Sequence, residues 1–420
     1  MAKPPISHLR ATDLRAITQL ATQATRGVTR MTEGVHHAVL RSMGSPANQQ
    51  AQTGGIAGFV YRTVHGVTEL VGKGLQSAFT KLEPQLEALV DEPPETPERE
   101  AVLAALNGVM GDQLVQTHNP LATPMTLRYQ GHALNLYAMA PMPGATGKVL
   151  LLIHGLCMND LQWRAPPGGD LAKVSDHATA LAAQLGYTPV FLRYNTGLHT
   201  SQNGRELASM LEQLLAKWPM PVQELTVVVH SMGGLLIRSA VHYAQHGALH
   251  WPQQLRNIIF LGTPHHGSPL ERAGNWVDVI LGTNPFSKPF AKLGQLRSAG
   301  ITDLRYGHVL DADWQGHDRF KKRSDSRQPL PLPLGVACYT VAATTAAKRS
   351  LLADRLIGDG LVPLSSALGQ HVDPRHQLAF GKAAQTIVYR TNHMGLLHSP
   401  EVTRQILHWL GAIQSDVAFG

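Results

Sequence analysis

The sequence predicts an α/β fold: a mostly parallel, doubly wound sheet with a lid-like insertion and an N-terminal helical extension. Three observations carry that prediction. Apolar runs at 148–153, 189–194, 225–229 and 255–261 alternate with helical patterns, and strands that take turns with helices form parallel sheets covered on both faces. The run Thr226-Val227-Val228-Val229 ends at His230-Ser231 and passes through Gly233-Gly234 into a helical apolar pattern, which reads as strand, sharp turn and helix. An acidic, proline-rich joint at 91–100 divides this region from a purely helical one before it.

Taken in order, 13–43 repeats apolar residues at steps of three and four (Leu14, Ile17, Ala21, Ala24, Val28), one face of a long helix. A second helical stretch, rich in glycine, follows at 56–90. Gly27-Val28-Thr29 echoes Gly66-Val67-Thr68, so 1–95 reads as a helical hairpin with its linker, and 96–420 as the α/β domain. A helix starts at Thr96 or Pro97, since proline suits a first turn. A short hairpin is expected from 125–129 and 134–138, then a central strand at 148–153. Helices at 178–185 and 204–215, and one after Ser231, separate the remaining early strands. Between Ser268 and Pro333 the alternation breaks. That stretch carries Trp276, Phe286, Phe290 and Trp314 among glycines and prolines, and reads as an insertion over the carboxyl edge of the sheet. Strands at 335–342 and 385–389 and a helix at 401–410 close the chain.

Composition narrows the partners. The net charge is +7, but the basic residues are scattered apart from Lys321-Lys322-Arg323, and no nucleic-acid motif is present, so nucleic-acid binding is not expected. Two cysteines, Cys157 and Cys338, suit a reducing compartment and offer neither a disulfide framework nor a thiolate metal site. The 22 histidines form no H-E-x-x-H pair. Residues 1–12 lack the apolar core of a secretory signal, and no run of 18 apolar residues occurs. The expectation is a cytoplasmic protein, with peripheral attachment to a membrane surface or homo-oligomerisation through the N-terminal helices as the roles open to that extension.

The strand-turn-helix at Ser231 raises a chemical question. A serine hydroxyl is a poor nucleophile at neutral pH, and it needs a histidine to take its proton and a carboxylate to orient the histidine. A serine on this kind of turn is followed in chain order by the acid and then the histidine, each on a loop after a strand. Asp359 in Gly358-Asp359-Gly360-Leu361-Val362-Pro363 and His393 in Thr391-Asn392-His393-Met394-Gly395 occupy those places. Taken alone, Asp359 is a turn former and His393 a solvated or capping histidine; their order behind Ser231 favours the catalytic reading, with Asp354 and His398 as runners-up. Two backbone N–H donors are also needed for the oxyanion. The amide of Met232 is one, and Leu156, after His154-Gly155 at the end of the 148–153 strand, supplies the other. His154, His230 and Asn195 stand near enough to line a substrate, although Asn195 fits a structural role equally well.

The segments I-H-G-L, V-H-S-M-G-G, L-G-T-P-H-H-G-S, G-D-G-L-V-P and N-H-M-G-L-L together resemble the lipase and esterase branch of the α/β-hydrolases, especially the group with bacterial triacylglycerol lipases and proteins like the GPI inositol-deacylase. The resemblance covers about 148–410. It implies an α/β-hydrolase fold with Ser231 as nucleophile, Asp359 as acid, His393 as base, and Leu156 and Met232 as the oxyanion hole. Val229 departs from the pattern by standing where G-x-S-x-G has its first glycine.

The expected function is therefore a serine hydrolase acting on small-molecule or lipid-like carboxylic esters, with no metal and no cofactor called for. An acyltransferase using the same three residues, or a non-catalytic scaffold that keeps the fold, stand as the alternatives.

Overall fold

The computed structural model of the protein describes residues 12–13, 15–20, 22, 95–164, 176–268, 298–318, 325–347 and 358–417, with side chains to 411. The chain divides into two compact units, Met1–Arg99 with Leu114–Leu121 and Glu100–Gln113 with Ala122–Gly420. Most of the expected N-terminal hairpin (13–43 and 56–90) lies outside the described residues, as do Trp276, Phe286, Phe290 and the runner-up Asp354. In the first unit the residues described between 12 and 22 are helical. There the Asp13 carboxylate accepts from Arg99 Nε and Nη2 at 2.9 and 2.8 Å, and Asn119 Nδ2 donates to the Ala16 carbonyl at 3.2 Å.

The second unit is built on eight strands: β1 (Thr126–Tyr129), β2 (His132–Ala133), β3 (Lys148–Ile153), β4 (Thr188–Arg193), β5 (Glu224–His230), β6 (Leu255–Leu261), β7 (Ala337–Thr344) and β8 (Gln385–Tyr389). Their order across the sheet is β2-β1-β4-β3-β5-β6-β7-β8. From β4 to β8 every pairing is parallel, and only β1 runs against its neighbours. The helices are α1 (Pro97–Gln116), α2 (His177–Leu185), α3 (Thr200–Ala216), α4 (Gly233–His246), α5 (Ala299–Tyr306), α6 (Asp311–Trp314), α7 (Leu364–Ala367) and α8 (Pro400–Val417).

Side chains alternate across each strand, so each face of the sheet collects its own core. Leu150, Leu152, Val228 and Ile259 face one side and pack with Ala178 and Leu181 of α2 and Val402 and Ile406 of α8. Val149, Leu151, Ile153, Val227 and Val229 face the other, against Leu207, Leu211, Leu236 and Ile237 of α3 and α4. This is why β3 and β5 read as unbroken apolar runs: neither face meets water, and each fully buried Val, Leu or Ile contributes roughly 1.5–3 kcal/mol. Val229 belongs to the second core with its side chain fully buried, so the residue that replaces the motif glycine serves as packing.

The strands at 148–153, 255–261 and 385–389 match expectation to the residue. The hairpin does not. Its return strand is 132–133 rather than 134–138, because Gln130 (φ 50) and Gly131 (φ 88) close a two-residue turn that sets Tyr129 opposite His132. Asn135 then ends the ladder, its Oδ1 accepting from the amides of Tyr137 and Ala138 at 3.0 and 3.2 Å.

The strand order places a topological switch at β3. The chain crosses from β3 to β4 on one side, while β5 pairs on the other side of β3. Open α/β sheets form their clefts outside the carboxyl ends of the strands at such a point. Residues 154–160 after β3 and Ser231 after β5 flank it, and the loops after β6, β7 and β8 emerge along the same edge.

Candidate active site

Ser231 occupies the turn between β5 and α4 with φ 56, a left-handed backbone that a residue with a side chain adopts at a cost of about 1 kcal/mol or more. Local bonds hold it there. The Ser231 amide donates to the Leu261 carbonyl at 2.9 Å, and the Ser231 carbonyl accepts from Gly234 N at 3.0 Å, which starts α4. The side chain is 1% exposed, and its hydroxyl makes no hydrogen bond to a described residue.

Asp359 and His393 meet. His393 Nδ1 donates to Asp359 Oδ2 at 2.7 Å with both side chains buried. The other carboxylate oxygen accepts from Leu361 N at 2.9 Å and Val362 N at 2.7 Å. A backbone bond, His393 N to Asp359 O at 3.1 Å, joins the two loops a second time. A ring whose Nδ1 donates to the carboxylate carries its proton on that nitrogen. Nε2 of His393 is then the nitrogen with a lone pair, as a base requires.

The imidazole lies beside the elbow. His230, the residue before Ser231, has its ring centroid 4.6 Å from that of His393, and its Nε2 donates to the His393 carbonyl at 3.1 Å. Gly262, after β6, clears the space: with φ 58, a Cβ built on it would stand 2.8 Å from Leu396 and 3.2 Å from the His393 ring. The L-G-T-P segment thus has a physical reading, since a side chain at 262 would be strained at this φ and would crowd Leu396 and the imidazole. The structure brings Asp359 and His393 together and sets both next to the turn that carries Ser231. It does not close a hydrogen bond from Ser231 Oγ.

The loop after β3 approaches from the other side. A Cβ on Gly155 would lie 2.8 Å from the Ser231 Cβ, so the backbone at 155 and the Ser231 side chain are in close contact. Leu156, in the loop after β3, and Met232, directly after Ser231, are both buried.

A buried ionic network holds that loop, and the sequence reading missed it. Arg193, at the end of β4, sends Nε to Asp160 Oδ1 at 2.5 Å and Nη1 to Glu100 Oε2 at 2.6 Å, and Arg128 Nε lies 3.2 Å from Asp160 Oδ2. Asn159 caps the short turn 160–163, and the Cys157 amide donates to Thr196 Oγ1 at 3.1 Å. The available signal was the charge at the close of an otherwise apolar strand, Val190-Phe191-Leu192-Arg193, where only an inward-facing arginine with buried partners fits.

His154, His230 and Asn195, expected to line the site, are all buried. His154 is fully buried, stacks on Tyr194 with centroids 4.5 Å apart, and donates from Nδ1 to the Gly155 carbonyl at 3.0 Å. Burial depresses its pKa to about 4, so the ring is neutral. His230 is held well below the usual histidine range, first by burial and then by the neighbouring His393. Asn195 spends its amide on the Gly111 carbonyl at 3.1 Å and its Oδ1 on Gly197 N at 3.0 Å, which pins the turn before α3. No cluster of metal-ligating side chains occurs among the described residues, and no helix among them is long and apolar enough to cross a membrane.

No curated protein matches the chain. Among solved structures, the mature form of a Bacillus licheniformis lipase is 20% identical, with a TM-score of 0.41 over 69% of this chain and 98% of that one. Staphylococcus hyicus lipase is 13% identical, with a TM-score of 0.39 over 66% and 99%, and a thermophilic esterase from Thermogutta terrifontis is 14% identical, with 0.36 over 64% and 91%. By its sheet order and strand-turn-helix elbow the chain has the α/β-hydrolase fold, and over residues 144–328 it matches the family described as the PGAP1-like alpha/beta domain.

Proposed function

We propose that the protein is a serine hydrolase that cleaves carboxylic esters through an acyl-enzyme, with Ser231 as nucleophile, His393 as base and Asp359 as orienting acid. The observation that carries this reading is the buried 2.7 Å bond from His393 Nδ1 to Asp359, made beside the turn on which Ser231 stands. As the Ser231 Oγ–carbon bond forms, the hydroxyl proton passes to His393 Nε2 and the carbonyl electrons move onto oxygen. The amides of Leu156 and Met232 stabilise that oxyanion, each such donor contributing roughly 3 kcal/mol to the transition state. Collapse expels the alcohol, which takes the proton from His393. Water then gives a proton to His393 and attacks the acyl carbon, and Ser231 leaves with its proton restored. Asp359 stays ionised throughout and stabilises the imidazolium.

The preference for apolar acyl groups rests on the aromatic and proline content of 268–333 in the sequence, a composition suited to the wall of an acyl pocket. The test is a series of p-nitrophenyl esters of increasing chain length, run on wild type and Ser231→Ala. Rates should rise with chain length beyond acetate and fall at least about 10⁴-fold in the variant. Hydrolysis that survives in Ser231→Ala contradicts the assignment.

A further inference from the structure

Away from the triad, a small pocket of about 10 Å³ opens between α4, the loop after β6, the end of α5 and the strand-like segment before β7. Its lining includes Arg238, His265, His266, Arg327 and His376, with Gln328 as a neutral polar member. Such a lining offers many donors and few acceptors.

The acceptors nearby are already taken. Arg327 uses both carboxylate oxygens of Asp325, at 2.9 and 2.6 Å, and the carbonyls of His265 and Gly307. Asp313 accepts from the amides of Val309 and Leu310 on one oxygen and Gln328 on the other. Arg238 is 5% exposed and has one acceptor, the Leu330 carbonyl at 2.6 Å; its Nε and Nη1 are buried with no protein partner among the described residues. His265 is fully buried with both ring nitrogens unpartnered among the described residues, while the half-buried His266 ring lies against the Gly369 backbone. Burial and then Arg327 lower the Arg238 pKa only to about 10, so at neutral pH the guanidinium keeps its charge.

A buried guanidinium with two idle N–H groups is costly, because desolvation of a charge is offset only by a counter-charge or a full set of hydrogen bonds. A species that accepts several hydrogen bonds at once and carries a negative charge removes that cost. The pocket has space for one water-sized body, which excludes a phosphate ester or a lipid carboxylate. We propose that this pocket binds a single monatomic anion of chloride's class, held by the Nε and Nη1 groups of Arg238 and the ring N–H of His265.

The site bears on the catalytic edge through the chain. His265 and His266 belong to the loop that begins at Gly262, and the His266 amide donates to Ser366 Oγ at 3.1 Å, on the helix just after the Asp359 loop. The proposal itself does not depend on the triad chemistry.

The direct test is anomalous diffraction from wild-type crystals grown with about 100 mM bromide in place of chloride. A bromide peak between Arg238 and His265 supports the site. No peak there, or peaks on the surface alone, overturns it. In solution, the thermal midpoint of the full chain in sodium chloride should exceed that in sodium gluconate of equal ionic strength by several degrees, and Arg238→Gln should lose that difference. Equal midpoints for wild type in the two salts contradict the proposal, as does a chloride effect that grows only above about 1 M, which means an adventitious ion only. Retention of the difference in Arg238→Gln contradicts the residue assignment. Should that variant fail to fold, the bromide experiment on wild type still decides.

Discussion

His230 Nε2 donates to the main-chain carbonyl of His393 at 3.1 Å, so the residue before the candidate nucleophile anchors the backbone that carries the candidate base. His230→Phe keeps a ring of similar shape and removes the donor. The loss of one neutral hydrogen bond, about 1 kcal/mol, frees the His393 loop to drift. We expect kcat on a p-nitrophenyl ester to fall about 10-fold or more with KM little changed. A change confined to KM would mean that His230 lines the substrate instead.

Asp359→Asn tests the orienting acid. The amide can still accept from Leu361 and Val362 on its oxygen, and it then turns a donor toward His393 Nδ1. The ring must take the other tautomer, with Nε2 protonated and unable to act as a base. Activity should fall about 10⁴-fold while circular dichroism stays unchanged. Activity within a few-fold of wild type would remove Asp359 from the mechanism.

Gly155→Ala places a methyl group 2.8 Å from the Ser231 Cβ, closer than such atoms pack. Either the 154–160 loop or the elbow must yield, and a displacement of the donor or the nucleophile by about 1 Å costs about 100-fold in rate. Steady-state kinetics beside a urea melt separate a lost rate from a lost fold. Full activity in the variant would show that the loop is softer than its anchors suggest.

Arg193→Met takes the guanidinium away from Asp160 and Glu100. Breaking a buried pair from one side costs on the order of 3–5 kcal/mol, far more than the pair itself contributes. The urea midpoint should drop accordingly, and kcat should drop with it because the Leu156 amide rides on that loop. A variant with unaltered stability would contradict the network's buried character.

Buried neutral histidines predict acid sensitivity. Burial lowers the pKa of His154 and His177 from 6.5 to about 4, so between those values the unfolded chain binds protons that the folded chain excludes. The unfolding free energy is therefore full above about pH 6.5 and declines as the pH falls toward 4, by on the order of 3 kcal/mol for each of the two. Denaturant midpoints at pH 7.5, 6 and 5 should decrease in that order. A flat profile would show that neither ring is kept neutral by the fold.

The parallel core was legible because its strands are apolar on both faces: Val149–Ile153 is buried throughout, and Leu255–Leu261 is buried except at Arg256 near its start. The pairing of Asp359 with His393 was legible from chain order, since both stand on loops at one sheet edge. The hairpin was misread at 134–138 because alternation in Leu134–Ala138 suggested a ladder that Asn135's side chain interrupts. Asn195 and His154 read as lining residues because they follow strands at the active edge. Only three-dimensional packing shows that Gly111 and Tyr194 occupy their polar atoms and ring face. The Arg193 network spans Glu100 to Arg193, a sequence separation at which no local pattern carries information.

The claim at the centre of this account is that Ser231 is a nucleophile activated in the folded protein. Incubation with a fluorophosphonate probe, followed by peptide mass mapping, tests it directly. One phosphonylated residue is expected, Ser231, labelled in the native protein and unlabelled after urea denaturation or in His393→Ala. Native protein that leaves Ser231 unmodified, or that labels equally well after denaturation, would contradict it.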